Sequence, residues 1–175
     1  PDGVFNVVHG DKLAVDTLLE HPDVASVSFV GSTPIAKYIY ETAAHHGKRV
    51  QALGGAKNHM LVLPDADLDL VADSAVNAGF RSAGERCMAI SVIVAVEPVT
   101  DELIAKVSER MSGLTVGDGT RNCDMGPLIT AQHRDKVAGY IDIAEKDGAT
   151  IAVDGRGIEI DGDANGFWLG PTLID

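Results

Sequence analysis

One cysteine of the chain, Cys87, lies in a short turn whose sequence at residues 83–91 is Ala-Gly-Glu-Arg-Cys-Met-Ala-Ile-Ser. The turn follows a predicted helix and precedes an apolar run, residues 90–96, that predicts a buried strand. A cysteine on such a turn is within reach of a substrate, and its backbone N–H can stabilise a developing oxyanion. The adjacent Arg86 adds positive charge, which favours the reactive thiolate. On this spacing alone, a lone cysteine is more often a small buried hydrophobic residue than a nucleophile.

The run Gly31-Ser32-Thr33 is a second candidate site, because it stands where a predicted strand meets a predicted helix. A helix N-terminus offers unpaired N–H groups and a partial positive charge, both of which suit a phosphate. The hydroxyl of Ser32 is placed to contact such a phosphate. The alternative is that Ser32 only caps the helix, which is a common role for serine.

Composition limits the classes of partner that the chain can have. It has 175 residues and a formal charge of −12, which argues against nucleic acid and anionic membranes as partners. Its two cysteines, Cys87 and Cys123, lack metal-ligand spacing, so we predict no metal site, no disulfide and a cytoplasmic location. The longest apolar run, residues 89–96, is too short to span a bilayer. No signal peptide is visible, and the start at Pro1 suggests an excised piece.

Hydrophobic periodicity divides the chain into two α/β segments that meet at the Gly54-Gly55 pair. The first alternates strand and helix, which is typical of a parallel sheet. Its elements are predicted as a strand within residues 1–10, a helix at 11–20, a strand at 26–30, a helix between 35 and 47, and a strand at 49–53. The second segment is predicted to have strands at 59–63, 90–96, 150–153 and 167–174, helices after Asp65 or Asp67, after Thr100 and after Thr130, and loops at 117–124 and 155–166.

Three segments together resemble the aldehyde dehydrogenase superfamily, in order and in spacing: Phe29-Val30-Gly31-Ser32-Thr33, Leu53-Gly54-Gly55 and Gly84-Glu85-Arg86-Cys87. The resemblance extends over the whole chain, including the runs at residues 124–129 and 170–172. It implies an α/β, parallel-sheet aldehyde dehydrogenase-like fold of which the chain holds only part. Residues 1–54 would be the C-terminal half of a Rossmann-type NAD-binding domain. Residues 55–175 would be the N-terminal part of the α/β catalytic domain.

The same resemblance implies a set of cofactor-binding residues. Ser32 would bind the pyrophosphate of NAD, and Gly31 and Phe29 would shape the pocket around it. Leu53 and Gly54 would lie beside the nicotinamide ring. The segments that hold the adenine ribose and the nicotinamide ribose in the superfamily lie outside this sequence, so the choice between NAD and NADP is left open.

By this resemblance Cys87 is the nucleophile, and Ala52 marks a departure from the usual chemistry. Cys87 would attack the aldehyde to give a thiohemiacetal, which passes a hydride to NAD and leaves a thioester. Most members read Glu-Leu-Gly-Gly where this chain has Ala52-Leu53-Gly54-Gly55, and that glutamate activates the hydrolytic water. Without a positioned base, water attacks the thioester slowly. A thiol, with a pKa of about 8–9, is a better nucleophile, so we expect coenzyme A as co-substrate.

Two runs, Gly-Ala-Lys-Asn-His at residues 55–59 and Arg-Cys-Met-Ala-Ile-Ser at residues 86–91, resemble the acylating methylmalonate-semialdehyde dehydrogenases of valine catabolism. This implies an oxidoreductase that converts methylmalonate or malonate semialdehyde, NAD and CoA to propionyl-CoA or acetyl-CoA with release of CO2. Arg86 would hold the substrate carboxylate, because a guanidinium binds a carboxylate bidentately. The alternative for Arg86 is a surface residue paired with Glu85.

The resemblance implies that the chain is about the middle third of a longer enzyme, which is expected to be a homo-oligomer, either a dimer or a tetramer. Because site residues lie outside residues 1–175, we expect this piece alone to be inactive, to bind NAD poorly and to self-associate through exposed sheet edges. Two other functions stay open. One is a hydrolytic NAD-dependent aldehyde dehydrogenase with its base elsewhere in the chain, and the other is a non-catalytic relative that keeps the fold.

Overall fold

The structure of the chain is a computed structural model in which residues 1–158, 160 and 165–175 are described. It divides into two compact units, Pro1–Ala56 and Lys57–Asp175, called unit 1 and unit 2 below. The predicted loop at 155–166 includes residues 159 and 161–164, which lie outside the described residues.

Unit 1 is built from two helices and a pair of parallel strands. Its elements are α1 (Lys12–Glu20), β1 (Ser26–Val30), α2 (Thr33–His45) and β2 (Arg49–Leu53), so the strands predicted at 26–30 and 49–53 are confirmed. β1 and β2 pair in parallel with no shift of register. Buried side chains from both helices, Leu19, Ile39 and Ala43, pack against this strand pair. The core therefore fixes where β1 ends and α2 begins.

The strand predicted within residues 1–10 is wrong. In unit 1, all of whose residues are described, these residues are turn and irregular structure with no partner strand. The side chain of Phe5 is 86% exposed, and Val4, Val7 and Val8 are exposed as well. An apolar run becomes a strand only where another strand satisfies its backbone N–H and C=O groups, and none lies beside this one.

Unit 2 is a larger α/β unit. Its described residues form β3 (Asn58–Val62), α3 (Leu68–Phe80), β4 (Ile90–Ala95), α4 (Thr100–Ser112), α5 (Ala131–Lys146), β5 (Ile151–Val153) and β6 (Leu173–Ile174). β3 and β4 are parallel and are connected through α3, whereas β5 and β6 are antiparallel. Asp67 caps α3 by accepting the N–H groups of Asp69 and Leu70, which explains why the helix begins there.

The core of unit 2 lies between α3, α4 and the β3–β4 pair. Leu103, Val107 and Met111 recur every four residues along α4 and are buried, as their spacing predicts. They pack with the buried face of α3 and with Val62 of β3. This packing fixes the position of α3. It therefore also fixes the point at which the chain leaves α3 for the turn at residues 83–91 that carries Cys87, called the cysteine turn below.

The final strand is shorter than the prediction of residues 167–174. Only Leu173 and Ile174 form β6, with Ile174 opposite Ile151 and Leu173 opposite Val153. The short partner β5 limits the pairing, since it offers only the residues from Ile151 to Val153. Gly170 instead donates its N–H to the carbonyl of Gly155.

Two kinds of feature are absent from the described residues. Among residues 1–158, 160 and 165–175, no helix has both the length and the hydropathy that a membrane span requires. In the same residues, no group of three or more His, Cys, Asp or Glu side chains is placed to hold a metal ion.

Truncating the α4 side of the unit 2 core tests this packing. We expect Leu103→Ala to lower the free energy of unfolding by about 2–5 kcal/mol, because it leaves a cavity beside a side chain that is 3% exposed. Leu70→Ala on α3 is the matched control, since Leu70 is 64% exposed and should cost no more than about 0.5 kcal/mol. Urea titrations followed by circular dichroism measure both, and similar losses in the two variants would contradict the assigned core.

Candidate active site

The turn that carries Cys87 begins with an unusual backbone conformation. After α3 ends at Phe80, a 3₁₀ turn at Arg81–Gly84 contains Ser82 and Ala83 at φ values of 55° and 52°. Gly84 follows at φ 70°, and a Cβ there would lie 3.0 Å from the carbonyl oxygen of Gly79. Left-handed residues with side chains are uncommon and are enriched at functional sites. The chain therefore turns sharply just before the cysteine.

Cys87 is exposed, as a nucleophile requires, and the backbone around it is held in place. Ala89 donates its N–H to the carbonyl of Arg86, which closes a tight turn over Cys87 and Met88. The side-chain Nδ2 of Asn58, at the start of β3, donates to the carbonyl of Cys87 at 3.0 Å and to that of Ala89 at 2.9 Å. The thiol therefore faces solvent on a turn that is held by a backbone hydrogen bond and by hydrogen bonds from the Asn58 side chain.

Arg86 lies against the C-terminal half of α3. Its guanidinium Nη2 donates to the backbone carbonyl of Asn77 at 2.5 Å. The sequence left Glu85 open as a partner of Arg86. Among the described residues, the hydrogen bond that the Arg86 side chain makes is this one to the Asn77 carbonyl of α3. A guanidinium has five N–H donors, so this contact leaves others that can bind a carboxylate beside the cysteine.

Asp124 is one of the charged groups of this region whose pKa departs clearly from its ordinary value. The backbone N–H of Thr115 donates to its carboxylate at 3.0 Å and the hydroxyl at 2.7 Å, and the positive charge of Arg81 adds a smaller effect. Together they hold the pKa of the Asp124 carboxyl below its usual range, since each favours the ionised form. These bonds close the polar loop that contains Cys123.

A groove in the described part of unit 2 is a separate feature. It has a volume of about 580 Å³ and is lined by β4, α4 and β6, with neither Cys87 nor Arg86 in its lining. Cys87 itself is exposed on the surface of unit 2.

In unit 1, the predicted phosphate-binding run lies where β1 passes into α2. Gly31 donates its N–H to the carbonyl of Leu53, which joins this run to the end of β2. The ring of Phe29 folds over Gly31, because a Cβ on Gly31 would lie 2.4 Å from the ring's Cζ. Residue 31 therefore has to be small for the ring to take this position, and Leu53 stands half-exposed on the neighbouring strand.

Ser32 occupies the N-cap position of α2, but its side chain makes no capping hydrogen bond. Its backbone carbonyl accepts the first helical bond, from Ala36, so the helix begins without help from the hydroxyl. The capping explanation for this serine is therefore not what the structure shows. A hydroxyl at a helix N-terminus that has no structural bond is suited to contact a phosphate.

Sequence reasoning assigned no role to Thr33, which connects the two halves of this site. Its hydroxyl accepts the N–H of Gly55 at 3.1 Å. A Cβ on Gly54 would lie 2.7 Å from the same hydroxyl and 3.2 Å from the Cα of Thr33. The N-terminus of α2 and the end of β2 thus approach so closely that Gly54 has no room for a side chain. In the sequence, the Gly54-Gly55 pair is the feature that could have indicated this close approach of α2 to the end of β2.

Ser32, Gly31, Phe29, Leu53 and Gly54 therefore come together in unit 1, while Cys87 and Arg86 come together in unit 2. The structure also adds Asn58 to the second group, and sequence reasoning had quoted it only as part of a run. Its contacts reach residues about 30 positions further along the chain, which no local pattern reveals.

Comparison with known proteins identifies the relatives of this chain. The sequence profile of the aldehyde dehydrogenase family matches residues 1–175. A malonate-semialdehyde dehydrogenase of Pseudomonas aeruginosa is 56% identical over 177 aligned positions, and one of Halalkalibacterium halodurans is 51% identical over 176. Each alignment covers 100% of this chain and 36% of the relative. The chain thus spans about a third of the length of these relatives.

Solved structures give the same result. The crystal structure of a methylmalonate-semialdehyde dehydrogenase from Oceanimonas doudoroffii has a TM-score of 0.94 and 57% identity, covering 99% of this chain and 36% of that one. A Sinorhizobium meliloti structure named as a methylmalonate-semialdehyde dehydrogenase complexed with NAD has a TM-score of 0.92 and 50% identity, covering 97% and 35%. The predicted α/β fold with parallel strands, as part of a longer aldehyde dehydrogenase fold, is confirmed.

The close approach at Gly54 can be tested against its neighbour. We expect Gly54→Ala to destabilise unit 1 by about 1–3 kcal/mol, because its Cβ would collide with the hydroxyl and backbone of Thr33. Gly55→Ala is the matched control, since its Cβ would meet the Thr33 hydroxyl at an ordinary 3.6 Å. Amide hydrogen exchange of residues 26–55 measures the effect, and equal losses of protection would argue against the approach.

Proposed function

The chain belongs to the aldehyde dehydrogenase family, and on that basis we propose that Cys87 is the nucleophile of an NAD-dependent, CoA-acylating semialdehyde dehydrogenase. The observation that carries this proposal is the exposed Cys87 on a turn fixed by Asn58 and by the Arg86–Ala89 hydrogen bond. The thiolate attacks the aldehyde carbon, and a carbon–sulfur bond forms as the carbonyl oxygen becomes an oxyanion. The backbone N–H of Cys87 stabilises that oxyanion.

Loss of hydride from the thiohemiacetal then leaves a thioester on Cys87. NAD, when bound, supplies the acceptor for this hydride and its two electrons. The residues of unit 1 fit such a dinucleotide, because Ser32 has a hydroxyl without a structural bond at the N-terminus of α2. Gly31 and Phe29 shape the adjacent surface, and Leu53 and Gly54 follow at the end of β2. We assign all five to NAD binding, with Ser32 on the pyrophosphate.

Coenzyme A is proposed to release the acyl group. Ala52, half-buried opposite Phe29 in the β1–β2 pair, has no side chain that can act as a base toward water. The thiol of coenzyme A attacks the thioester carbonyl, Cys87 leaves as thiolate, and a new thioester forms without a net change in oxidation state. For malonate semialdehyde, the bond to the carboxylate carbon also breaks, CO2 leaves, and the remaining carbon takes up a proton from water, so that acetyl-CoA is the product.

Arg86 is proposed to bind the carboxylate of the semialdehyde. It directly precedes the nucleophile in the chain, and its contact with Asn77 anchors the guanidinium near the turn while leaving donors for a ligand. A carboxylate held there would bring the aldehyde end of a three-carbon semialdehyde to the thiol. The names of the malonate- and methylmalonate-semialdehyde dehydrogenases that the chain resembles support this substrate class.

The remaining parts of the proposal concern the whole protein. We assign unit 1 to the C-terminal half of the NAD-binding domain and unit 2 to the start of the catalytic domain. The whole enzyme is proposed to be a cytoplasmic homo-oligomer of valine catabolism that acts on a small-molecule semialdehyde, not on nucleic acid or membranes. The net charge of −12 and the two cysteines, neither in a disulfide, are compatible with this assignment.

A chimeric enzyme tests the CoA requirement. Residues 1–175 replace the matching third of the Pseudomonas aeruginosa malonate-semialdehyde dehydrogenase, which aligns with the whole of this chain. We expect steady NADH formation from malonate semialdehyde only when CoA is present, and a single stoichiometric burst of NADH without it. Absorbance at the NADH band measures both phases.

Three outcomes of this assay discriminate between the functions considered. Steady turnover without CoA would favour a hydrolytic aldehyde dehydrogenase whose base comes from another segment. A chimera that folds but forms no NADH at all would favour a non-catalytic relative. The Cys87→Ser chimera is the control, and it should lose both the burst and the turnover.

Alkylation of the chain itself tests Arg86. Iodoacetate carries a carboxylate next to its electrophilic carbon, whereas iodoacetamide is neutral and similar in size. We expect Arg86→Ala to lower the ratio of the iodoacetate rate to the iodoacetamide rate at Cys87 about two- to fivefold, because an exposed charge pair contributes about 0.5–1 kcal/mol. Mass spectrometry of the Cys87 peptide measures each rate.

Two further variants control this measurement. Arg86→Lys keeps the charge and should keep most of the preference for iodoacetate. Arg81→Ala removes another cation of the same turn and should leave the ratio near that of the unmodified chain. An unchanged ratio in Arg86→Ala would contradict the assignment of this arginine to the carboxylate.

A further inference from the structure

We propose that Asn58 is a positioning residue. It holds the cysteine turn at a fixed position relative to Arg86, whose guanidinium is bonded to α3. The inference rests on the proposed role of Cys87 as the nucleophile and adds a residue that this role requires. Asn58 itself does not touch the reacting atoms in this assignment. It acts through the backbone of the turn, as its two hydrogen bonds to the carbonyls of Cys87 and Ala89 indicate.

The carboxamide of Asn58 has a geometry that few side chains can reproduce. A single Nδ2 atom donates one N–H to each carbonyl, at 3.0 Å and 2.9 Å, so both donors of the amide are used. The two acceptors belong to Cys87 and to the residue just before β4. A carboxylate has no hydrogen to donate, a leucine of similar shape has none either, and a hydroxyl donates only one.

The pairing between β3 and β4 is irregular beside Asn58. Asn58 lies opposite Ile90, but the next residue, His59, lies opposite Val92, so β4 has one extra residue here, Ser91. The hydroxyl of Ser91 reaches the carbonyl of Asn58 at 3.5 Å. Bulges are over-represented next to active sites, and this one lies where the amide of Asn58 bonds the carbonyls of Cys87 and Ala89.

The turn is therefore held from two elements at once. Arg86 fastens its beginning to α3 through the carbonyl of Asn77, and Asn58 fastens its middle and end to β3. If the bonds of Asn58 are lost, Arg86 stays on α3 while Cys87 is released to move relative to it. The distance between the thiolate and the guanidinium is then no longer fixed, and a substrate held by Arg86 would not meet the nucleophile.

The experiment uses the 175-residue chain with Cys123→Ser, so that Cys87 is its only thiol. Asn58→Leu removes both donors at nearly constant shape and without a change in charge, and Asn58→Ala is a second variant. Asn77→Leu is the matched control, because the side chain of Asn77 is exposed and only its backbone carbonyl receives Arg86. Arg86→Ala provides the reference for a turn without the cation.

Two quantities are measured in each variant. The first is the ratio of the iodoacetate and iodoacetamide rates at Cys87, taken from the high-pH plateau of each rate profile, where the thiol is fully ionised. The second is amide hydrogen exchange of residues 86–91. For both Asn58 variants we expect the ratio to shift toward that of Arg86→Ala and exchange to quicken at least about fivefold, as for the loss of one hydrogen bond. Asn77→Leu should match the parent chain in both.

The possible results separate this proposal from the proposed function. Unchanged exchange, or faster exchange with an unchanged ratio, would overturn the positioning role of Asn58. Loss of the folded state in both Asn58 variants, seen by circular dichroism, would overturn it too, since the residue would then serve the whole fold. The parent chain could instead show the same iodoacetate-to-iodoacetamide rate ratio as Arg86→Ala. That result would contradict the proposed role of Arg86. In that case, amide hydrogen exchange of residues 86–91 in the Asn58 variants decides whether Asn58 holds the turn.

Discussion

The chain has to reverse direction between the end of α3 at Phe80 and the start of β4 at Ile90, and the candidate active site depends on how it does so. Ser82, Ala83 and Gly84 all adopt left-handed conformations, which cost residues with a Cβ about 1–2 kcal/mol each. Such a conformation persists only where the surrounding structure holds it. Here α3 is fixed by the core of unit 2, and hydrogen bonds to α3 and β3 secure the rest of the turn. An exposed thiol can therefore have a defined position.

Most of the regular elements follow from the sequence because their causes are local. The buried residues of α4 recur every four positions, Asp67 caps α3 through its own side chain, and β1 alternates exposed residues with the half-buried Val27 and Phe29. The apolar residues 4–8 were misinterpreted for the opposite reason. A strand needs a partner, and apolar character alone does not say whether one lies beside it. The last strand was overestimated in the same way, since β5 limits its length.

The site residues show the same division between local and long-range causes. Cys87, Gly31 and Gly54 can be found in the sequence because a turn or a close approach restricts the residue type. Asn58 and Thr33 cannot, because what distinguishes them is a hydrogen bond to a residue 22 or more positions away. For Ser32 the sequence left capping and phosphate binding open, and the structure shows that its side chain makes no capping bond. The structure thus contributes most where one residue type serves two purposes.

On the proposed mechanism, Ala52 changes how the acyl group is released while the backbone of the family is kept. This residue lies within β2, paired with Phe29 in an unbroken parallel ladder, and the N–H of Gly55 just beyond the strand is bonded to Thr33. Backbone hydrogen bonds and glycine contacts hold this segment, and none of them requires a carboxylate at position 52. Replacing the family's usual glutamate by alanine therefore removes a base without disturbing the neighbouring Leu53 and Gly54. On the proposed mechanism, this single side chain decides whether water or a thiol releases the acyl group, whereas the steps that form the thioester depend on residues that the substitution leaves in place.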